Sequence, residues 1–464
     1  MTNWSSRLKI ELHRLLDLMA SPPALRAVGE PLFWLLGRRK GDKFSGSHVR
    51  SILVVRTDGL GDMVLMTPFL RELRTLFPQA RISLYTAAHI GNLLGLCPYV
   101  DEVIFDNQLG LKRNWERVLA VLPAIGKLLP RRFDLAIQPR WDVDHNYSTS
   151  VTYLSGARWR VGYSSDVRPS KSILNPSYDT LFTHVILDTG FSHEVERNLH
   201  LISEIGGTPD SNHLEVWLDD YDESFATNLL SAHCKSGERV WALGVGGAHR
   251  FRRWPQNRFE QLANWIVEEY KVKLLLIGTS EDALAFGNLA RSSNGSIINC
   301  VGQTTVRQCA ALLKRCQCYI GNDTGPMHIA ATLGLPIVGI FTSAADVEDQ
   351  LSMASRYAPW QADSIMLRPP SGLGPCADPG QEQCVIDRPH CILQITVDDV
   401  KDAIRTIMRS RFSAPTDNGG VWPSKYVNID KQLAYVTTSF SRSAVFSTGL
   451  HNACRSAARA AAES

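Results

Sequence analysis

The stretch Ile52–Leu73, ILVVRTDGLGDMVLMTPFLREL, decides the fold. A short run of mostly apolar and β-branched residues, Ser51–Arg56, opens it and is typical of a buried strand. The glycine-containing turn TDGLGD follows, and the sequence beyond it predicts a helix over Met63–Phe77. A strand, a glycine-rich turn and a helix in this order indicate the first unit of a doubly wound α/β sheet.

The same alternation of short apolar strands and helices extends along most of the chain. The remaining predicted strands of the first series are Arg81–Thr86, Val103–Asp106 and Asp134–Gln138, with a helix over Trp115–Leu129. A second series begins near Trp241 with WALGVGG, and its further strands are Lys273–Gly278, Cys318–Gly321 and Pro336–Phe341. Its predicted helices are Phe259–Tyr270, Asp282–Arg291, Thr305–Lys314 and Met327–Leu333. We therefore predict an α/β protein whose two Rossmann-like, doubly wound domains face each other across a cleft.

The length and composition fit this organisation. A chain of 464 residues is too long for one compact core, and 44% hydrophobic with 20% charged residues excludes collagen-like, largely disordered and disulfide-miniprotein classes. The sequence predicts a basic amphipathic helical extension over residues 1–47 and Rossmann-like domains over 48–215 and 216–410. A flexible tail of low periodicity is expected over 411–464.

The two ends of the chain hold its positive charge. The formal net charge is only +3, but residues 1–50 contain nine Lys or Arg against four Asp or Glu. This basic segment suits the surface of an anionic membrane, and a helical hairpin packed on the main body is the alternative. The sequence predicts neither a membrane span nor a signal peptide, so we expect a cytoplasmic protein whose ten cysteines remain thiols.

The first chemical loop follows the strand Ser51–Arg56. Gly59 and Gly61 allow close approach of a substrate to the backbone, and the following helix start attracts anions. A nicotinamide oxidoreductase is disfavoured because the turn lacks the third glycine of the dinucleotide fingerprint. Asp62 can be a helix-capping carboxylate or a general base aimed into the cleft, and Asp58 is a weaker candidate for the base.

The second chemical loop is GNDTGPMH, residues 321–328, between a predicted strand and a helix. Asp323 and Thr324 can cap this helix, and the free N–H groups of its first turn, beginning at Gly325, suit a phosphate. The Thr324 hydroxyl and His328 would reach the same anion. The sequence therefore predicts a phosphate cradle here.

A third glycine-rich strand end, GVGGAHRFRRWP, spans residues 244–255. It contains Gly246 and Gly247, and the arginines Arg252 and Arg253 follow. Their guanidinium groups could bind a diphosphate bidentately, and a solvated basic loop is the alternative.

These three segments, in this order, resemble glycosyltransferase family nine, the heptosyltransferases of lipopolysaccharide core synthesis. The matching text is the opening stretch, then GGAHRFRRWPQNRFEQLA (246–263), then YIGNDTGPMHIAATLGLPIVGIF (319–341). The resemblance covers roughly Ser51 to Ile407. It implies a GT-B fold and inverting transfer of a sugar, typically heptose from ADP-heptose, to a lipopolysaccharide-core or related glycan acceptor. It implies no cofactor and no catalytic metal.

The resemblance also implies roles for individual residues. Asp62 matches the family's suspected base, and Arg252 stands where the family often has a lysine, so the cation is kept but its geometry is not. An acidic residue expected near the nucleoside falls on Glu281, within one or two positions. The family's diphosphate-contacting block falls on Asp323, Thr324, Gly325 and His328. By the same resemblance, residues 48–215 would hold the acceptor and 216–410 the nucleotide sugar.

The chain departs from the family pattern at both ends and in a loop that contains Cys376, Cys384 and Cys391. The added ends leave the acceptor undetermined, and the basic first segment suggests peripheral contact with the cytoplasmic membrane leaflet. The cysteines are spaced too widely for a typical zinc site, which favours simple thiols. A GT-B nucleotide-sugar epimerase and a non-catalytic nucleotide-sugar-binding module are the alternative functions.

Overall fold

A computed structural model describes residues 21–37, 44, 46–106, 123–187, 190–247, 250–345, 353–372, 391–412 and 425–427. The first of its two parallel sheets has the strand order β3-β2-β1-β4-β5-β6. Its strands are β1 (Ser51–Arg56), β2 (Arg81–Ala87), β3 (Glu102–Asp106), β4 (Leu135–Gln138), β5 (Trp159–Tyr163) and β6 (His184–Ile186).

The second sheet is also parallel and has the order β13-β12-β11-β10-β7-β8-β9. Its strands are β7 (Val240–Gly244), β8 (Lys273–Ile277), β9 (Ile297–Asn299), β10 (Tyr319–Asn322), β11 (Ile337–Ile340), β12 (Ser364–Leu367) and β13 (Lys425–Val427). Without β13, this order repeats that of the first sheet, with β7 in the place of β1 and β10 in the place of β4. In each sheet the strand order therefore reverses between two central strands, where doubly wound sheets bind their ligands.

Helices cover both sheets. Those of the first half are α1 (Pro22–Leu35), α2 (Leu60–Leu65), α3 (Thr67–Leu76), α4 (Gly91–Leu94), α5 (Ser148–Leu154), α6 (Pro169–Leu174) and α7 (Glu194–Glu204). Those of the second half are α8 (Asp220–His233), α9 (Gln256–Tyr270), α10 (Ala283–Ser292), α11 (Val306–Leu313), α12 (Gly325–Thr332), α13 (Met353–Arg356) and α14 (Val397–Phe412). Residues 123–128 are helical as well, and the earlier part of the helix predicted over Trp115–Leu129 lies outside the described residues.

The helix predicted over Met63–Phe77 is two helices, α2 and α3, which meet at Met66. Pro68 has no N–H to continue the α2 hydrogen-bond ladder, so it sits in the first turn of a new helix instead. The Thr67 hydroxyl donates to the carbonyl of Val64 across the break at 2.8 Å. The break confines the site's helix α2 to six residues directly behind the glycine turn.

Several strands escaped the sequence prediction. β6 and β9 have three residues each, and such short runs give no clear periodicity. β5 and β12 were missed as well, and β13 falls in the predicted tail, where it pairs with β12. The other residues of 413–464 lie outside the described part of the chain.

Helix α1, in the predicted N-terminal extension, packs on the first half. Its Phe33 ring lies 5.3 Å from the ring of Tyr153, and a Cβ added to Gly29 would lie 2.6 Å from the same ring. The opposite face of α1 leaves Val28, Trp34 and Leu35 exposed. Packing on the body thus accounts for only one face of this helix. The helix predicted over residues 4–19 lies outside the described residues, and in the described chain no helix combines the length and apolarity of a membrane span.

Candidate active site

The two sheet reversals face each other where helices α2 and α12 begin. A Cβ added to Gly61 would lie 2.7 Å from Cδ2 of His328, and one added to Gly325 would lie 2.7 Å from Cδ2 of Leu60. Each helix start thus has a glycine where a side chain from the opposite half approaches. The reciprocal fit brings the loops after β1 and β10 into one site between the halves.

Asp62 lies in the third position of α2 and is 16% exposed. Its Oδ1 accepts hydrogen bonds from Nη2 of Arg56 at 2.7 Å and from the Tyr357 hydroxyl at 3.0 Å. Its Oδ2 accepts a longer bond from the Gly59 N–H at 3.2 Å and no other hydrogen bond from the residues that the structure describes, so the residue combines a capping contact with a position between the halves. The capping contact expected of Asp62 is present, and its role as a general base stays a prediction.

The pKa of Asp62 is lowered. Burial alone would raise it, but the charges of Arg56 and Arg140 and the hydrogen bonds from Arg56 and Tyr357 outweigh the burial. The carboxylate is therefore ionised at neutral pH, which is the protonation state that a general base needs.

Asp58, the weaker candidate for the base, already takes part in two ion pairs. It forms ion pairs with Arg56 Nε at 2.7 Å and with Arg140 Nη1, and its side chain is almost fully buried. This pairing leaves Asp62 as the better placed carboxylate in the loop after β1.

In the second half, Asn322 at the end of β10 ties the glycine-rich loop to the site. Its side-chain amide donates to the carbonyl of Gly246 at 2.9 Å, and its Oδ1 accepts from the Trp254 N–H at 3.2 Å. Cβ atoms added to Gly246 and Gly247 would lie 2.8 Å from the side chains of Asp282 and Arg253, respectively. The absence of a side chain at these two glycines therefore allows the loop to pack closely against Asp282 and Arg253.

The two adjacent arginines have different surroundings. Arg253 donates from Nε to the carbonyl of Gly247 at 2.7 Å and pairs with Glu281 at 3.3 Å. Arg252 lies close enough to Asp323 to influence the pKa of that carboxyl. Glu281 follows strand β8 and is 79% exposed, so it stands at the rim of the second half. Arg252 therefore lies within electrostatic range of Asp323, which precedes helix α12, whereas the Glu281 side chain is exposed to solvent.

The helix start of α12 is buried and weakly charged. Burial and the neighbouring Asp62 raise the pKa of Asp323 to about 6, against the opposing effect of Arg252. Burial lowers the pKa of His328 to about 3, so its imidazole is neutral. Its Nδ1 has no hydrogen-bond partner within the part of the chain that the structure describes, and Nε2 lies 3.8 Å from Asp323. Thr324 supplies the N-cap position, and its hydroxyl donates to the Asn322 carbonyl at 3.3 Å.

Sequence reasoning missed several residues of this site. Arg56 closes β1 as the one charged residue of an otherwise apolar buried strand, a signal that a pairing argument could have used. Asn322 precedes the recognised Asp323 and Thr324 and could have been included as the strand's last residue. Arg356 and Tyr357 lie far from every motif, and no signal in the sequence points to them.

The structure describes only some of the cysteines that were predicted to be thiols. No disulfide joins the cysteines among the described residues. Cys391 is one of them, and Cys376 and Cys384 lie outside that part of the chain. No cluster of three or more potential metal ligands occurs in the ranges that the structure describes.

Two doubly wound domains of the same strand order, whose reversals meet at a carboxylate and a helix start, form the two-domain α/β architecture of the GT-B fold. The family model for glycosyltransferase family 9 (heptosyltransferase) matches residues 124–371. The chain therefore belongs to this family and is a glycosyltransferase.

Individual relatives agree with this assignment. The chain is 26% identical over 325 residues to lipopolysaccharide heptosyltransferase 2 of Escherichia coli K12, covering 66% of this chain and 86% of that protein. A glycosyltransferase family 9 structure from Veillonella parvula superposes with a TM-score of 0.62 at 20% identity, over 78% of this chain and 98% of that one. The ADP-heptose lipopolysaccharide heptosyltransferase II of E. coli gives 0.55 at 20% identity, over 78% and 100%. These two structures support the same fold.

Proposed function

We propose that the protein transfers heptose from ADP-heptose to a lipopolysaccharide-core or related glycan acceptor, with inversion at the anomeric carbon and without a catalytic metal. The observation that carries this proposal is the approach of Asp62 to the start of helix α12 across the contact between the halves. Family membership and the names of the relatives support the sugar and its donor. Residues 48–215 would hold the acceptor, and residues 216–410 the donor.

The second half supplies the groups that would hold the donor. The amides at the start of α12, from Thr324 and Gly325, point out of the helix and suit a diphosphate. Arg252 would add positive charge beside Asp323. His328 would bind as a neutral hydrogen-bonding group through Nδ1, which lacks a partner among the described residues. Glu281, at the exposed end of β8, would receive the ribose hydroxyls of the nucleoside.

The transfer is a single displacement. The acceptor hydroxyl oxygen attacks the anomeric carbon from the side opposite the diphosphate, and its proton passes to Asp62 Oδ2. The bond between the anomeric carbon and the phosphate oxygen breaks, and ADP leaves with the electron pair. The negative charge that grows on the leaving group is stabilised by the α12 amides, Thr324 and Arg252, which is how the reaction would proceed without a metal. If a chelator leaves the rate of transfer unchanged, the result agrees with a reaction that needs no metal. If the chelator abolishes transfer and a divalent cation restores it, the result contradicts this proposal.

The test of the base is Asp62→Asn. This variant keeps the size of the side chain and its ability to cap α2, but it cannot accept the proton. We expect donor binding by calorimetry to change little and the rate of transfer to fall by about a hundred- to ten-thousand-fold. Transfer is followed as ADP release together with the mass of the glycosylated acceptor.

The matched control is Asp101→Asn. Asp101 is also paired with an arginine of the first half, Arg74 at 2.6 Å, but it lies at the start of β3, away from the helix starts. We expect transfer close to the parent rate in this variant. Equal turnover in Asp62→Asn and Asp101→Asn would refute the assignment of Asp62.

The family assignment favours transfer over the two alternatives that the sequence left open. An epimerase would consume the nucleotide sugar without an acceptor, and a binding module would turn over nothing. Incubation of donor alone followed by product analysis separates these cases from the transferase.

We also propose that the protein works at the cytoplasmic leaflet of the inner membrane, with α1 as its contact. Val28, Trp34 and Leu35 lie exposed on one helix within a segment rich in Lys and Arg. Such a surface can bury apolar side chains among lipid tails while the cations meet anionic headgroups. The serine triple variant of these residues should bind anionic vesicles at least about tenfold more weakly.

Leu284→Ser is the matched control for this surface, because Leu284 is a 94% exposed leucine on α10 in the other half. It should bind vesicles like the parent protein. Undiminished vesicle binding by the α1 triple variant would remove the membrane proposal while leaving the transferase proposal intact.

A further inference from the structure

A segment of the second half, residues 353–361, reaches into the first half beside the site. At the end of α13, Arg356 pairs with Glu194 through Nε at 2.9 Å and with Asp142 through Nη1. All three side chains are 1–2% exposed. A buried ion pair of this kind is costly to break, so it fixes the segment against the first half.

The segment is fixed on its other side as well. His193, which caps α7, forms a hydrogen bond through Nε2 with the carbonyl of Ala358 at 3.0 Å. The indole of Trp360 lies 4.4 Å from the His193 ring and donates to the carbonyl of Asn212 at 2.9 Å. Tyr357 is therefore placed between two anchors that both belong to the first half.

The hydrogen bonds of the Tyr357 hydroxyl have a defined direction. Arg356 donates to this oxygen from Nη2 at 3.3 Å and has no acceptor atom of its own. The single hydroxyl proton is thus available to Asp62 Oδ1, which lies 3.0 Å away. Burial raises the pKa of Tyr357 well above its ordinary value, so the phenol keeps that proton.

We propose that Tyr357 is a positioning residue that orients Asp62 for proton transfer, an inference that rests on the proposed function. With Arg56 and Tyr357 both bound, the two lone pairs of Oδ1 are occupied. Within the described ranges Oδ2 accepts just the long contact from Gly59, which leaves a lone pair for the acceptor hydroxyl. Arg56 and Gly59 hold the base from its own half, and the Tyr357 hydroxyl from the other half completes its orientation where the halves are joined.

A pH profile separates this role from simple packing. Among the described residues, the charged and titratable groups that interact with Asp62 are Arg56, Arg140, Glu194, Asp323, His328 and Tyr357. Asp58 and Arg356 contact two of these groups, Arg56 and Tyr357 respectively. Tyr357→Phe changes one of the six groups and keeps its ring. Loss of the hydrogen bond removes stabilisation from the carboxylate alone, so the pKa of Asp62 rises and the acid limb of kcat/KM moves to higher pH.

The experiment compares the full-length parent with Tyr357→Phe, using ADP-heptose and a lipopolysaccharide-core acceptor. We expect kcat to fall about tenfold, the acid limb to move up by about 0.5–1 pH unit and the donor Kd to stay within about twofold. Tyr99→Phe is the matched control, because the Tyr99 hydroxyl also donates to a carboxylate, that of Glu215 at 2.8 Å, outside the site. It should leave kcat and the acid limb unchanged.

A second replacement of Tyr357, by 3-fluorotyrosine, keeps the hydroxyl and makes it a stronger donor. It should move the acid limb to lower pH, which a packing role does not predict. An acid limb that stays in place in both variants would overturn the inference while the Asp62 assignment stands. Absence of transfer by the parent protein would instead overturn the proposed function, and this inference with it.

Discussion

The two halves of the molecule share one strand order, yet they differ in the charges at their sheet reversals. In the first half the buried charges are already paired. Arg56 binds Asp58 and Asp62, and Asp142 binds Arg168 at 2.7 Å as well as Arg356. These arginine partners outweigh the effect of burial and hold the pKa of Asp142 far below its ordinary value. The carboxylates Asp62 and Asp142 at this edge are therefore ionised in the folded protein.

In the described part of the second half, the start of α12 has no such arginine–carboxylate ion pair, and the nearby pair of Arg253 with Asp282 belongs to the glycine-rich loop. Asp323 has a pKa raised to about 6, His328 is neutral, and Asn322 holds the glycine loop through uncharged hydrogen bonds. The positive charge of Arg252 opposes the rise in the pKa of Asp323. The difference teaches that the carboxylates of the first edge are already neutralised by arginines, one of which comes from the second half, whereas the start of α12 has less charge compensation. This contrast agrees with the proposal that α12 binds the donor diphosphate.

The largest expected effects come from the same substitution at two arginines of the second half, Arg356, which pairs with carboxylates of the first half, and Arg252, which lies near Asp323. Arg356→Met leaves Asp142 and Glu194 buried without a shared cation, which should lower the free energy of unfolding by about 3–5 kcal/mol. Arg252→Met should instead weaken binding of ADP-heptose by about 10- to 100-fold, because it removes one charge-assisted contact to the diphosphate. Urea unfolding and calorimetry measure the two quantities in both variants.

Arg405→Met controls for loss of an arginine as such, since Arg405 forms an exposed pair with Asp402 on α14 and lies over the Trp265 ring at 5.1 Å. It should change the free energy of unfolding by no more than about 1 kcal/mol. The comparison fails if Arg252→Met destabilises the fold as strongly as Arg356→Met, since the second half would then also be built on paired charge.

Asparagine substitutions at two aspartates should have opposite signs. Asp142 is stabilising while ionised, so Asp142→Asn should destabilise the protein at neutral pH. The raised pKa of Asp323 means that its folded-state carboxylate carries a penalty, absent below about pH 4 and complete above about pH 6. Asp323→Asn should therefore raise the free energy of unfolding at pH 7.5 by about 1–3 kcal/mol, and the gain should vanish by about pH 4. Thermal unfolding over this pH range measures both variants, and a destabilised Asp323→Asn would contradict the contrast.

The sequence predicted the strands, helices and glycine turns better than the side-chain contacts of the site. Local signals were strong where apolar strands run directly into glycine turns, so the strand Ser51–Arg56 and the loops at Asp62 and Asp323 were found. Three-residue strands such as Ile297–Asn299 were missed because hydrogen bonds to longer neighbours create them. The periodicity also ran through Pro68, where the chain starts a new helix.

The contacts that cross between the halves could not be predicted. Tyr357 is 295 positions from Asp62 along the chain, and the pair is brought together by the docking of residues 353–361. Nothing in the residues around Tyr357 encodes this contact. A sequence motif identifies a functional residue whose position is set by the neighbouring backbone, such as Asp62 in its glycine turn. A residue such as Tyr357, whose contact depends on how the two halves pack, can be identified only from the three-dimensional structure.

The smallest of these effects concerns the glycines at the contact itself. An alanine Cβ at position 61 would stand 2.7 Å from His328 of the opposite half, and one at position 325 would stand 2.7 Å from Leu60. Either substitution forces the facing atoms to shift by several tenths of an ångström. We expect this shift to move the helix starts apart and to separate the base from the diphosphate cradle. We expect kcat to fall about tenfold in both variants, because transfer requires the reacting groups in close alignment.

Gly287→Ala, on α10 with open space around it, serves as the control and should leave turnover unchanged. Because the obstruction is mutual, the two glycine variants report on one distance, and combining them should cost less than the product of their separate losses. Fully multiplicative losses would mean that the two glycines act on separate steps. The halves would then meet at α2 and α12 without that contact setting the geometry of transfer.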